Sequence, residues 1–218
     1  MAKKRQTYVE EVANVLTHGF GILFGLVATL LLMVAAIRNG SPWVIGSLAA
    51  YAVCMTFSYV TSTLYHASAV ARNKRILRRF DHSAIYLHIA GTYTPFALVA
   101  LRNVSFWGWG LFAIVWIAAV VGIWLSFRKM KKSSNLKTLC YLVMGWIVVI
   151  AFKPLMDVFQ AAGTMNILYW LIGGGLFYTL GTVFFYFDRY KYMHSVWHLF
   201  VLGGSICHFW SIYLLIPQ

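Results

Sequence analysis

Acidic side chains are nearly absent from this chain: five Asp and Glu stand among 218 residues, against 18 Lys and Arg. Charged residues of either sign make up 11%, where a soluble domain carries about 25%. That scarcity excludes an ordinary water-facing surface. Only three cysteines occur, Cys54, Cys140 and Cys207, and none forms a CxxC pair. A disulfide framework and a cysteine metal cage are therefore excluded, and the three read as small packing residues. The alternation of a membrane β-barrel is missing, as is any solenoid repeat. No stretch is left over for a separate soluble domain, and no cleavable leader is expected.

Long apolar runs fill the chain instead, which is 61% hydrophobic. A bilayer crossing needs about 20 apolar residues, and seven runs qualify, near 15–37, 43–65, 83–101, 106–127, 138–157, 165–187 and 195–216. Backbone groups in lipid must bond internally, so the runs are expected to be helices. The expected fold is all-α: one seven-helix membrane domain spanning residues 1–218. Gly21 and Gly25 make a GxxxG pair for close helix approach. Pro95 and Pro154 are expected to distort their helices. Trp43, Trp107 and Trp109 sit at run ends, as interfacial anchors do.

The formal charge of +13 would suggest nucleic acid in a soluble protein. Its distribution points elsewhere. Lys3, Lys4 and Arg5 precede the first run; Arg72, Lys74, Arg75, Arg78 and Arg79 follow the second. Arg128, Lys129, Lys131, Lys132 and Lys137 follow the fourth, and Arg189 and Lys191 the sixth. Only Arg38, Arg102 and Lys153 occupy the other connections. Basic residues favour the cytoplasmic side, so the N-terminus is expected in the cytoplasm and the C-terminus outside, in a multi-pass protein of the cell membrane. Membrane lipids, rather than nucleic acid, are the expected partners, with the basic segments touching anionic headgroups.

Polar residues inside such runs are costly and mark functional candidates. His194 and His198, in YKYMHSVWHLF, lie four residues apart and so share a helix face. HxxxH on a helix can present two imidazoles to one zinc ion. With the expected topology, His66 ends the second helix, Asp81 begins the third and the histidine pair begins the seventh, all at one depth near the cytoplasmic face. Ser58, Ser62 and His66 form a ladder; Asp81, His88 and Thr92 share a face; Ser205 and His208 extend the stripe of the seventh helix. Three imidazoles with one open position is the arrangement of catalytic zinc, which activates a water. Asp81 would then act as general base, and Ser62 would donate a hydrogen bond to a developing oxyanion. A carbonyl reaching this layer from the bilayer belongs most simply to a lipid amide or ester. Glu11, Asn14 and His18, on one face of the first helix, would form a supporting hydrogen-bond cluster.

Each of these readings has a plainer counterpart. The histidine pair could make interhelical hydrogen bonds without metal. Asp81 could cap a helix N-terminus, and the serines could bond back to their own helix. His18 could cap and snorkel at the interface. His82 points about 100° from Asp81 and is expected to face the interface or another helix. His88 and His208 lie too deep for the same ion, His208 being about 15 Å beyond His198 along the axis. Both are expected to be packed, hydrogen-bonded residues.

Together these motifs resemble the hemolysin III family, the bacterial branch of the progestin and adipoQ receptor family, related to the alkaline ceramidases. The resemblance covers essentially the whole chain. It rests on Glu11, Asn14 and His18, on the SxxxH of Ser62 and His66, on Asp81 in DHSAIYLHIAGTYTP, and on the HxxxH of His194 and His198. It implies a seven-helix bundle with a cytoplasmic N-terminus, and Zn2+ held by His66, His194 and His198. It also implies that Asp81 contacts the zinc-bound water and that Ser62 lies nearby. For activity it implies three readings: hydrolysis of a lipid amide or ester, as in the ceramidases; non-enzymatic sensing or regulation of membrane lipids with structural zinc; or, ranked last, a cytolytic pore. The polar stripes thin out toward the exterior, where a pore would need them.

Overall fold

The structure is a computed structural model that describes residues 6–127 and 134–217. Lys3, Lys4, Arg5, Arg128, Lys129, Lys131, Lys132 and the side chain of Lys137, which carry much of the expected charge asymmetry, lie outside the described residues. Among the described residues there are helices and no strands.

Local signals set the ends of the first helix. Thr7 opens a capping box, its hydroxyl accepting from the Glu10 N–H at 3.4 Å while its own N–H donates to the Glu10 carboxylate at 2.8 Å. Helix α1 therefore starts at Tyr8, seven residues ahead of the apolar run, and continues to Asn39. Gly40 ends it with φ +76°, a left-handed conformation that glycine adopts without a Cβ penalty. Pro42 then occupies the first turn of α2 (Pro42–Ala67), where its missing N–H is harmless.

Helix α3 (Ala71–Pro95) departs from expectation. The basic segment ARNKRILRR is its first turns rather than a loop. Asp81 consequently lies well inside the helix, whose first turn holds no acidic residue. The end-capping reading of Asp81 falls with that. A five-residue π-turn, Phe96–Ala100, follows Pro95. Helix α4 is Trp107–Phe127. The fifth run is broken into α5 (Ser134–Gly145), a 3₁₀ stretch Trp146–Ala151, and α6 (Phe152–Ala161), with Pro154 in the first turn of the last piece. Both prolines thus sit beside a non-α turn, where a residue without an N–H is tolerated. The Tyr93 hydroxyl repairs the second break: it donates to the Gly145 carbonyl at 2.6 Å and accepts from the Val148 N–H at 2.8 Å. Backbone freed in lipid needs such partners. Helices α7 (Met165–Tyr186) and α8 (Met193–Leu214) complete the chain.

Among the described residues, six helical stretches are long and apolar enough to cross a membrane: α1, α2, α4, Thr138–Ala161, α7 and α8. The third expected crossing is not among them, because α3 begins with basic residues and carries His82, Ser83, His88, Thr92 and Thr94.

Burial is inverted relative to a water-soluble bundle. On α1 the buried stripe reads Glu10, Asn14, His18, Gly21, Gly25, Ala28, Leu32 and Ala36. The opposite face exposes Leu16, Phe20, Leu23, Val27 and Leu30. One end of the inward stripe is polar and the remainder is small or apolar, the pattern of a helix with a lipid-facing side. The helices pack α1 on α2, α2 on α3, α3 on α4 and α7 on α8, with α1 also against α8. Gly21 and Gly25 do bring helices close: any side chain at Gly21 would run into the Tyr59 ring, and one at Gly25 into Thr56. At the end of the bundle away from the histidines, Trp43 and Trp109 meet edge to face at 5.7 Å, and the Arg102 guanidinium stacks on Trp43 at 4.5 Å. All three cysteines are free.

Candidate metal centre

The last turn of α2 and the first turns of α8 bring three imidazoles together. Ring centroids are 5.1 Å apart for His66 and His194, 5.1 Å for His66 and His198, and 4.6 Å for His194 and His198. One ring nitrogen from each lies within 4.8 Å of the other two. His66 and His198 are buried and His194 partly so. The sequence pattern named this trio, and the fold brings it together from positions more than 120 residues apart in the chain.

Helix α1 orients two of the rings. The His66 Nδ1 lies 2.7 Å from Glu11 Oε2. A carboxylate only accepts, so Nδ1 carries the proton and Nε2 presents a lone pair. That Nε2 is buried and has no hydrogen-bond partner. Thr17 does the same for His198. Its hydroxyl has one proton, directed to the Ala13 and Asn14 carbonyls at 2.9 and 3.0 Å. It must therefore accept from His198 Nδ1, 3.1 Å away, which leaves the second nitrogen of that ring as an acceptor too. Zinc-binding histidines are oriented by this kind of partner. Lys74, from the basic turns of α3, reaches the other oxygen of Glu11 at 2.5 Å. A second set of bonds ties α1 to the start of α8: Ser195 donates to Asn14 Oδ1 at 2.6 Å, and Asn14 donates to Gln6 at 2.6 Å. Just before these residues, Tyr192 holds φ +62°, a strained conformation for an aromatic residue.

Of the hydrogen-bond cluster expected on α1, Glu11 and Asn14 make hydrogen bonds and His18 makes none. His18 stacks on His198 with centroids 3.5 Å apart and planes 23° from parallel. Asp81 is not among the residues whose ligand atoms converge. Its carboxylate pairs with His82 Nδ1 at 3.1 Å, so His82 turns toward its neighbour. Ser62 is buried one turn from His66. The inward face of α2 is Tyr51, Met55, Tyr59, Ser62 and His66, with Ser58 only half-buried. The expected serine ladder is displaced accordingly.

Thr17, Ser195, Lys74 and Gln6 were not legible as site residues. Tyr59 could have been found, because it lies seven residues before His66 on the same face. Deeper in the bundle Tyr59 donates to Ser205 Oγ at 2.7 Å, Tyr178 lies 2.8 Å from the same oxygen, and His208 Nε2 meets the Leu171 carbonyl at 3.2 Å. His208 is thus packed and hydrogen-bonded, as expected.

The donor set fits zinc. Zn–N bonds are about 2.0–2.1 Å, so nitrogens sharing one ion tetrahedrally stand about 3.3 Å apart; the three here lie within 4.8 Å and would draw together around it. Three neutral imidazoles suit zinc among the divalent ions.

A polytopic helical membrane protein with a buried histidine trio at one end is what these features define. The family described as "Haemolysin-III related" matches residues 6–209, and the chain belongs to it. It is 37% identical over 212 residues to "Hemolysin-3" of Bacillus cereus, covering 97% of this chain and 94% of the other. With the "Hemolysin-3 homolog" of Bacillus subtilis (strain 168) it is 41% identical over 206 residues, 94% of each. More distantly, it is 29% identical over 220 residues to the human "Monocyte to macrophage differentiation factor", covering 96% of this chain and 85% of that one.

Proposed function

We propose that this protein is a zinc-dependent hydrolase of a lipid amide or ester, working within the cell membrane. The observation that carries the reading is the paired tautomer lock. Glu11 and Thr17 hold the Nδ1 protons of His66 and His198, so the Nε2 of each ring is left with a lone pair for a metal. Among the described residues the group numbers three, which suits a site whose fourth position is left for water. Zinc, when bound by His66, His194 and His198, supplies Lewis acidity and activates a water. Asp81 takes up a proton, after releasing His82. Ser62 offers its hydroxyl to the carbonyl oxygen of the substrate. The apolar outer faces of the helices leave a lipid as the natural substrate and partner.

The same reading treats residues 1–218 as one domain. It counts α3 with its π-turn as a seventh crossing, since it packs between α2 and α4. It places the histidine layer at the cytoplasmic side, because Arg72, Lys74, Arg75, Arg78 and Arg79 lie at that end. Purified zinc-loaded protein should release fatty acid from a ceramide-like lipid or N-acyl amide, and His194→Ala and Asp81→Ala should abolish release. A broad lipid screen with no turnover would defeat the reading.

One observation favours a second reading, in which zinc is structural and the protein senses or regulates membrane lipids. The α2 and α8 backbones make little direct contact and meet through the histidine layer and the Tyr59–Ser205 bond. A metal there would pin the two helices. Direct coordination by Asp81 would support this reading. Cytolysis, which the names of the two Bacillus relatives suggest for those proteins, ranks last. Ion flux through reconstituted protein, lost on mutating a polar stripe, would reverse that order.

A further inference from the structure

His18 has hydrogen-bonding capacity that nothing in the protein uses. Its side chain is buried at 6% exposure, and neither Nδ1 nor Nε2 has a partner. A neutral imidazole carries one donor and one acceptor, and each buried group left unsatisfied costs about 1–3 kcal/mol. The ring is nevertheless firmly held. One face lies on His198 at 3.5 Å, and Tyr59 stands at 85° to it at 5.2 Å. Gly21, one turn along, is what lets Tyr59 come so close. A phenylalanine would fill this clamp without the polar penalty, so packing does not explain an imidazole. Metal ligation does not explain it either. His18 is not in the group whose nitrogens converge, and its nitrogens lie in a plane stacked above the His198 ring.

We infer that His18 is the contact residue for an uncharged acyl carbonyl bound beside the histidine trio, donating its N–H to the carbonyl oxygen. The inference rests on the hydrolase reading and names a contact residue for the carbonyl at that site. A donor is worth most to an oxygen that gains negative charge during reaction. The second nitrogen is an acceptor, which a bridging water satisfies. His18 touches the substrate in this account, unlike Glu11 and Thr17, which act through the rings they hold.

The test uses full-length zinc-loaded protein in lipid vesicles, with palmitamide labelled at the carbonyl carbon as probe. In wild type the infrared carbonyl band of bound palmitamide should move to lower frequency than in plain vesicles. His18→Phe should remove that shift, keep the zinc content unchanged and leave the metal-free protein at least as heat-stable. Turnover of an N-acyl amide should fall about 10²–10³-fold, mostly in kcat. If His18→Phe does not purify folded, His18→Asn provides the same comparison, with a partial shift expected. An identical band in wild type and variant would overturn the inference, as would no saturable palmitamide band in wild type or loss of zinc from the variant. A His18-dependent band without any turnover would retain the contact and defeat the hydrolase reading alone.

Discussion

Replacing Glu11 separates the orientation of His66 from its mere presence. Glu11 Oε2 lies 2.7 Å from His66 Nδ1, and Oε1 lies 2.5 Å from Lys74 Nζ. The two contacts differ in environment: the His66 side chain is 2% exposed, and that of Lys74 is 26% exposed. Partners that orient a metal-binding histidine are worth about 10–100-fold in metal affinity, or about 1.4–2.8 kcal/mol at 1.4 kcal/mol per tenfold. A rim ion pair is worth about 0–1 kcal/mol, which is at most about fivefold. Glu11→Ala should therefore weaken zinc binding by one to two orders of magnitude, and Lys74→Ala by about fivefold or less. Glu11→Gln should fall between them, because its carbonyl oxygen still accepts from Nδ1 while its amide faces Lys74 donor to donor. Competition against a zinc chelator, with purified protein in detergent, measures all three. Unchanged affinity in Glu11→Ala, or an equal loss in Lys74→Ala, would refute the orientation argument.

Thr17→Val removes the acceptor for the buried Nδ1 proton of His198; it should cost about 1–3 kcal/mol of stability by thermal melting and weaken zinc binding in the same competition assay. Gly21→Leu drives a side chain into Tyr59; overpacking of this kind costs about 1–3 kcal/mol, and the melting temperature should fall with it. Chelation should lower stability by about 2.7 kcal/mol relative to protein in zinc at 100 times its Kd, and His194→Ala should abolish that zinc-dependent increment.

The histidine trio was legible because intramembrane polar residues are rare and helical spacing assigns them to faces. His194 and His198 declare themselves by their four-residue spacing, and His66 by its place at the end of a run. The partners that fix their tautomers were harder to see. Thr17 is an ordinary residue on an apolar helix, and its role emerges only when α1 lies against α8. Lys74 reads as one more topology-setting cation until α3 is seen to begin at Ala71, which carries it to Glu11. The same early start displaced Asp81 from the helix end. Hydropathy marks where a helix enters lipid rather than where it begins, so a basic helical extension looks like a loop. The break at Trp146–Ala151 was foreshadowed by Pro154, whereas the Tyr93 hydroxyl that satisfies it belongs to a different helix and leaves no local trace.

The claim on which the rest depends is that His66, His194 and His198 grip one ion. Diffraction from zinc-loaded crystals, recorded on both sides of the zinc absorption edge, tests it most directly. The account predicts one strong anomalous peak about 2.0–2.1 Å from a nitrogen of each of the three rings, with Asp81 outside bonding distance. Three imidazoles with no anomalous peak between them, or a peak held by other residues, would contradict it.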